Sequence, residues 1–211
     1  GWRLDVADEL PDEFIAAIKA RIKAVKPEAL LLGEVWEDAS NKTSYGVRRK
    51  YLLGSELDSV MNYPFRNAII DFVARDHAEN FFEQILTITE NYPKQIVDSL
   101  MNPLGTHDTE RILTLLAGYN CENMPRESQA KLKLDESERE HALRLLKVAT
   151  VLQYTLPGFP SIYYGDEVGM EGGRDPFNRQ GLPWYDIDED LLNFYKELGE
   201  VRQHKSYVFR D

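Results

Sequence analysis

The chain has 211 residues, 43% of them hydrophobic, which is enough for one sizeable packed core. A net charge of −11 argues against nucleic acid as a partner, because neutralising phosphate needs Lys and Arg in excess. The single Cys121 excludes an internal disulfide framework and a Cys-rich zinc site, and no apolar run approaches the roughly 18–20 residues of a membrane span, so no membrane partner is expected.

Short apolar runs alternate with longer amphipathic ones. "WRLDVA" reads as a strand. "PDEFIAAIKARIKAVK" reads as a helix, with Pro11 at its start, acid in its first turn, and Phe14, Ile15, Ile18, Ile22 and Val25 at helical spacing. "ALLLGEVW" is a second strand and "ELDSVMNY" a short third. "PFRNAIIDFVA" and "AENFFEQILTITENY" are helical, and "SLMNPLGTHD" is a fourth strand running into a loop. "TERILTLLAG" is a helix that Gly118 can end, and residues from about 120 to 135 are polar and turn-rich, hence a loop. "SEREHALRLLKVATVLQYT" is a long helix, "FPSIYYGDE" a fifth strand, "GMEGGRDPFNRQGLP" a Gly-rich loop, and "DEDLLNFYKELGEVRQHK" a closing helix. Such alternation predicts βα units with parallel strands. No strand is followed by a Gly-rich phosphate fingerprint, which weakens a doubly wound nucleotide-binding sheet. Five strands are too few to close an eight-strand barrel. The expected fold class is therefore α/β, a partial (β/α)8 barrel, and the start without Met or signal peptide leads us to expect a piece of a longer polypeptide.

Charged residues interrupt three of the strand ends. In the first strand Trp2, Leu4 and Val6 alternate with Arg3 and Asp5, so the two charged residues share a face. A partly desolvated pair there would keep Asp5 ionised; an ion pair that only fixes packing is equally open. Glu34 shares a face with Leu30 and Leu32, and burial would raise its pKa toward that of a general acid; otherwise the strand has ended and Glu34 is solvated. His107 and Asp108 follow the fourth strand, where Asp108 or Thr109 could instead cap a helix that has Glu110 in its first turn. All three acids stand at the carboxyl ends of different strands, the edge where α/β active sites form. Three carboxylates with an Arg and a His allow two chemistries, a magnesium or calcium site and glycoside hydrolysis by a carboxylate pair. Trp36, Tyr63, Tyr163, Tyr164 and Trp184, in or beside strand-end loops, tilt the choice toward sugar.

"GWRLDVADE", "GEVWEDA" and "LGTHDTER", in that order, resemble three sequence regions of the α-amylase family, glycoside hydrolase family 13, and "GFPSIYYGDEVGMEGGRDPFNRQGLPW" resembles its last barrel strand and following loop. "MNYPF" and "GEVW" look most like the neopullulanase and cyclomaltodextrinase branch. The resemblance implies that residues 1–211 are the C-terminal part of a catalytic barrel, its fourth through eighth strand with their helices. It implies catalytic roles for Asp5 as nucleophile, Glu34 as acid/base and Asp108 as the third carboxylate. Arg3 would position Asp5, His107 would contact the same sugar, Trp36 and Glu9 would lie on the acceptor side, and Asp175 and Arg179 would bind the donor-side chain. Asp8 stands where relatives of this branch often have Asn, and the earlier family region ending in Asn-His has no match here.

The implied function is retaining hydrolysis of starch-derived α-glucosidic bonds, with transfer to a sugar hydroxyl or non-catalytic glycan binding as alternatives; the isolated piece is expected to be weak or inactive. The implied partner is an α-glucan oligosaccharide or polysaccharide. No cofactor or metal is required for hydrolysis, although a structural calcium is allowed for a full-length parent. Open sheet edges lead us to expect self-association. The expected location is cytoplasmic, with secretion left open.

Overall fold

Residues 1–205 and residue 208 are described in a computed structural model. The chain divides into two compact units. The first comprises Gly1–Ala68, Ala78–Asn102 and Pro157–Phe159, and the second Ile69–His77, Pro103–Leu156 and Pro160–Asp211.

In the first unit, β1 (Trp2–Leu4) leads through α1 (Asp12–Val25) to β2 (Leu31–Gly33). The two strands pair in parallel with Arg3 opposite Leu32 and Leu4 opposite Gly33. A hairpin follows, β3 (Thr43–Ser44) and β4 (Val47–Arg48), antiparallel, and then β5 (Ser59–Val60), which pairs in parallel with β2. After α2 (Tyr63–Arg75), α3 (Ala78–Asn91) and the short α4 (Lys94–Val97) comes β6 (Met101–Pro103). A parallel bridge from Met61 to Met101 joins β6 to the end of β5. Phe159 donates its N–H to the Leu100 carbonyl at 2.8 Å, adding the start of β7 (Phe159–Ser161). Ladders thus join neighbouring strands in chain order, the order that right-handed βα crossovers produce. Buried Asn62 and Asn102 are bonded to each other at 2.8 Å, and Asn102 donates on to the Pro157 carbonyl, so no amide is left unsatisfied where these segments meet.

Ile15, Leu31, Leu57, Val60, Phe65, Ile88 and Leu100 form the core of this unit. Close packing explains Gly33: a Cβ there would meet the Leu57 side chain at 2.4 Å. Asp58 fastens α1 to the amino end of β2, accepting from the Leu31 N–H at 2.8 Å and pairing with Lys19 and Lys23 of α1 at 3.0 Å each.

The second unit is mainly helical. α5 (Ile112–Leu116) and α8 (Glu189–His204) pack against α7 (Glu136–Thr155), and α6 (Arg126–Gln129) is a single turn. α7 starts on a capping box, in which Asp135 and Glu138 each accept the other's backbone N–H. Thr150 of α7 donates to the Tyr195 hydroxyl of α8 at 3.0 Å inside the core.

Several elements differ from the sequence reading. The strands are shorter, because chain turns begin early: Val6 sits at φ 42, ending β1. On α1, Ile15 is buried while Phe14 and Val25 are exposed. The segment from 120 to 135 is not all loop, for a 3₁₀ turn at Cys121–Asn123 precedes α6. The helix expected from Thr109 starts only at Ile112, with Arg111 as its cap residue, so neither Asp108 nor Thr109 caps it. The hairpin was not foreseen. Its turn places Tyr45 at φ 52 and Gly46 at φ 76. Two positive φ values suit the twist of a two-residue hairpin, but Tyr in the first of them carries no turn signal.

Candidate functional site

In the first unit the predicted residues gather at the carboxyl ends of β1 and β2. Because β2 pairs with β1, the Glu34 N–H bonds the Leu4 carbonyl at 3.0 Å, and Glu34 stands immediately past the strand beside the turn that follows Leu4. The left-handed Val6 turns its N–H onto Glu34 Oε2 at 2.8 Å, and the Ala7 N–H bonds the Glu34 carbonyl at 3.2 Å. A β-branched residue in that conformation is strained, and the strained residue is the one whose N–H binds Glu34.

Arg3 ties the cluster together. Its Nη1 donates to Asp5 Oδ1 at 2.7 Å, its Nη2 faces Glu34 Oε2 at 3.1 Å, and its Nε points at the Met61 sulfur at 3.2 Å. Glu34 is 5% exposed, so its carboxylate depends on the charge of Arg3 and the Val6 N–H donor to offset lost hydration. Asp5 is 70% exposed. It is more open than the strand-face reading expected, because β1 stops at Leu4 and Asp5 belongs to the turn.

Trp36, two residues past Glu34, stacks on the buried Tyr63 with centroids 3.9 Å apart and planes 13° from parallel, leaving its indole partly exposed. Glu9 ends the 3₁₀ turn Ala7–Glu9 and accepts from the Tyr45 hydroxyl of the hairpin. Asp8 points elsewhere. Its carboxylate accepts from the Tyr51 hydroxyl at 2.6 Å and pairs with Lys42 at 3.0 Å. Burial, then the Asp8 carboxylate, push the Tyr51 phenol upward.

The other predicted residues lie together in the second unit. His107 Nε2 approaches Asp108 Oδ2 at 3.1 Å, Arg179 Nη2 lies 3.8 Å from Asp108 Oδ1, and Arg179 Nε pairs with Asp175 Oδ1 at 3.0 Å. Asn178, fully buried, donates to the carbonyls of His107 at 2.8 Å and Thr109 at 2.6 Å, clamping the backbone on both sides of Asp108. The Gly-rich loop is pinned to α5 by Gly172, which donates to Thr114 Oγ1 and accepts from the Arg111 N–H. Buried Arg111 pairs with Asp166 at 3.2 Å and lies against the Tyr163 and Tyr164 rings, which places both tyrosines in a cation–π cluster. Trp184 is exposed. A hollow of this unit, about 580 Å³ and lined by Arg139, Glu171 and Asp188 among others, includes none of the predicted residues.

Sequence reasoning missed Met61, Asn178, Tyr45 and Arg49. Only Arg49 carried a signal, being one of the paired cations in "VRRK". Among the described residues no group of three or more His, Cys, Asp or Glu is placed to hold a metal ion, and no helix is long and apolar enough to cross a membrane.

Residues 1–186 match the family described as alpha amylase, catalytic domain. The chain is 42% identical to an amylopullulanase of Thermoanaerobacter thermohydrosulfuricus, over 99% of this chain and 14% of that protein. It is 37% identical to neopullulanase 2 of Thermoactinomyces vulgaris, over 100% of this chain and 31% of that protein. Among solved structures it is similar to the ligand-free cyclic α-maltosyl-(1→6)-maltose hydrolase from Arthrobacter globiformis, at a TM-score of 0.80 and 25% identity, covering 100% of this chain and 41% of the other. The chain thus spans less than a third of the length of these two curated relatives.

Proposed function

This chain belongs to the α-amylase family and folds as part of a (β/α)8 barrel, and we propose that it carries the reacting carboxylates of a larger retaining hydrolase of α-glucans. The observation that carries the proposal is the placement of Arg3, one guanidinium hydrogen-bonded to Asp5 and ion-paired with Glu34. Retention needs a nucleophile and an acid about 5 Å apart, close enough to act on one anomeric centre, and a shared guanidinium favours such closeness. In this reading Glu34 protonates the glycosidic oxygen as Asp5 attacks the anomeric carbon. Glu34 then takes a proton from water, which releases the sugar with its configuration retained. The open position of Asp5 suits attack on an entering ring, whereas the buried setting of Glu34 suits an acid held in one geometry.

On the sequence match, Asp108 is assigned as the third catalytic carboxylate, and His107, Asp175, Arg179, Trp36 and Glu9 are assigned to sugar binding. The names of the relatives support an α-glucan as substrate, since they include an amylopullulanase and a neopullulanase. A sugar hydroxyl in place of water would make the same pair a transglycosylase.

The test uses the full-length polypeptide that contains this chain, assayed on maltooligosaccharides, cyclodextrins and pullulan with the anomer followed by proton NMR. The α anomer is expected first, with Asp5→Asn lowering kcat by about four orders of magnitude. First release of the β anomer, or an Asp5→Asn enzyme of near-normal rate, would overturn the proposal.

A further inference from the structure

We propose that Met61 is a positioning residue for the Asp5–Glu34 pair, its sulfur setting the plane of the Arg3 guanidinium. This rests on the reading of Asp5 and Glu34 given above and assigns the group that stands behind them.

Three side chains meet that guanidinium, and they hold it unequally. Asp5 accepts from Nη1 at 2.7 Å but is 70% exposed, so water competes for the bond. Glu34 Oε2 lies 3.1 Å from Nη2 without hydrogen-bond geometry, which attracts the charge but does not orient it. The remaining contact is the Nε–H, which donates to the Met61 sulfur at 3.2 Å.

Met61 is the fixed member of the three. It is 3% exposed. Its N–H bonds the Gly33 carbonyl at 3.0 Å on one side, and a parallel bridge joins it to Met101 on the other, so its backbone is locked between β2 and β6. Arg3 stands on β1 and Met61 follows β5, with β2 between them. The side chain that joins them therefore passes the end of β2, where Glu34 stands. A guanidinium is rigid and planar, so holding Nε and Nη1 leaves Nη2 little choice of place.

The chemistry of a thioether suits this task. It is a weak, neutral acceptor that meets the Nε–H without adding a third negative charge. A carboxylate at position 61 would draw the guanidinium away from Asp5 and Glu34, and a hydrocarbon would leave the Nε–H without an acceptor.

The experiment uses the full-length polypeptide with Met61→Leu, which keeps the bulk and removes the acceptor. Labelling of Arg3 by phenylglyoxal, mapped by mass spectrometry, is expected to quicken about 2- to 5-fold, as loss of a weak hydrogen bond allows. On maltotriose, kcat is expected to fall about 3- to 10-fold with KM unchanged. Met101→Leu, which alters the neighbouring methionine, is expected to change neither quantity. In an Arg3→Ala background Met61→Leu should lower kcat no further. The same loss in both backgrounds, an equal effect from Met101→Leu, or an unchanged kcat would overturn the proposal. Unchanged labelling would overturn it whether or not the polypeptide hydrolyses glucan. Failure of the hydrolase reading would show separately, in the anomer assay and in Asp5→Asn.

Discussion

Replacing Arg3 with Ala removes a side chain that reaches both Asp5 and Glu34. The two arms of the fork are unequal. Asp5 is 70% exposed, and its pair with Arg3 is worth no more than about 1 kcal/mol, as for other solvent-facing ion pairs. Glu34 is 5% exposed, and a buried carboxylate that loses its cation forfeits about 3–5 kcal/mol. The Val6 N–H remains bonded to Glu34 at 2.8 Å and Arg3 is itself partly exposed, so about 2 kcal/mol is the better figure for that arm. Arg3→Ala should therefore lose about 2–3 kcal/mol of stability in urea. In the full-length enzyme kcat should fall by about 100-fold or more, because an ångström of misplacement of the carboxylates is enough for that. Arg3→Lys supplies the charge but not the fork, and should recover stability more fully than rate. Circular dichroism in urea and initial rates on maltotriose give both quantities. If Arg3→Ala melts with the parent and keeps kcat within threefold, the fork does not organise the pair.

Asp58 is partly buried, which opposes its ionisation, but the Leu31 N–H with Lys19 and Lys23 outweighs this and holds its carboxyl below the ordinary 3.8. Because the folded value lies below the unfolded one, the stabilisation is complete above the ordinary value and drains away as pH falls through the folded one. Asp58→Asn should thus cost about 1–2 kcal/mol at neutral pH and progressively less in acid; denaturant titrations at pH 7 and pH 3 that gave the same difference would contradict this. Asn178→Ala leaves the His107 and Thr109 carbonyls without their buried donor. It should loosen the segment around Asp108 by about 1–3 kcal/mol, read as faster amide hydrogen exchange across residues 105–110; unchanged exchange there would show that the clamp is idle.

Parallel strand order was legible because alternating apolar and amphipathic runs constrain topology more tightly than they constrain element ends. Arg3, Asp5 and Glu34 stood out for a related reason, as charges placed where burial favours carbon. Their geometry was less legible. The face assignment put Asp5 inward with Arg3, but a strand that ends at Leu4 has no alternation to extend to residue 5. Asp108 was ambiguous between a cap and a site residue, and only the start of α5 at Ile112 removes the capping role. Asn178 and Met61 gave no local signal, since an amide in a loop and a sulfur beside a strand acquire meaning only from what folds against them. The hairpin was invisible for the same reason as its turn: Tyr45 at positive φ is held by Glu9, thirty-six residues away.

That hairpin segment also accounts for how the chain accommodates Asp8. An aspartate at position 8 adds a negative charge to a short segment that already carries Glu9 and Asp12, an arrangement that self-repulsion opposes. Here Lys42 and the Tyr51 hydroxyl converge on the Asp8 carboxylate, and both lie in the stretch between Glu34 and β5 that carries β3 and β4. Position 8 and that segment are therefore physically coupled. An Asn at 8 would relieve the repulsion but give Lys42 one fewer acid, and an Asp at 8 without Lys42 would leave a partly buried charge uncompensated. Because Arg49 of the same segment fixes the backbone from Ala7 to Leu10, the charge at position 8 and the placement of Glu9 are set by one structural element. Exchanging Asp8 alone should therefore disturb the hairpin as well as the turn, and exchanging the hairpin alone should disturb Asp8.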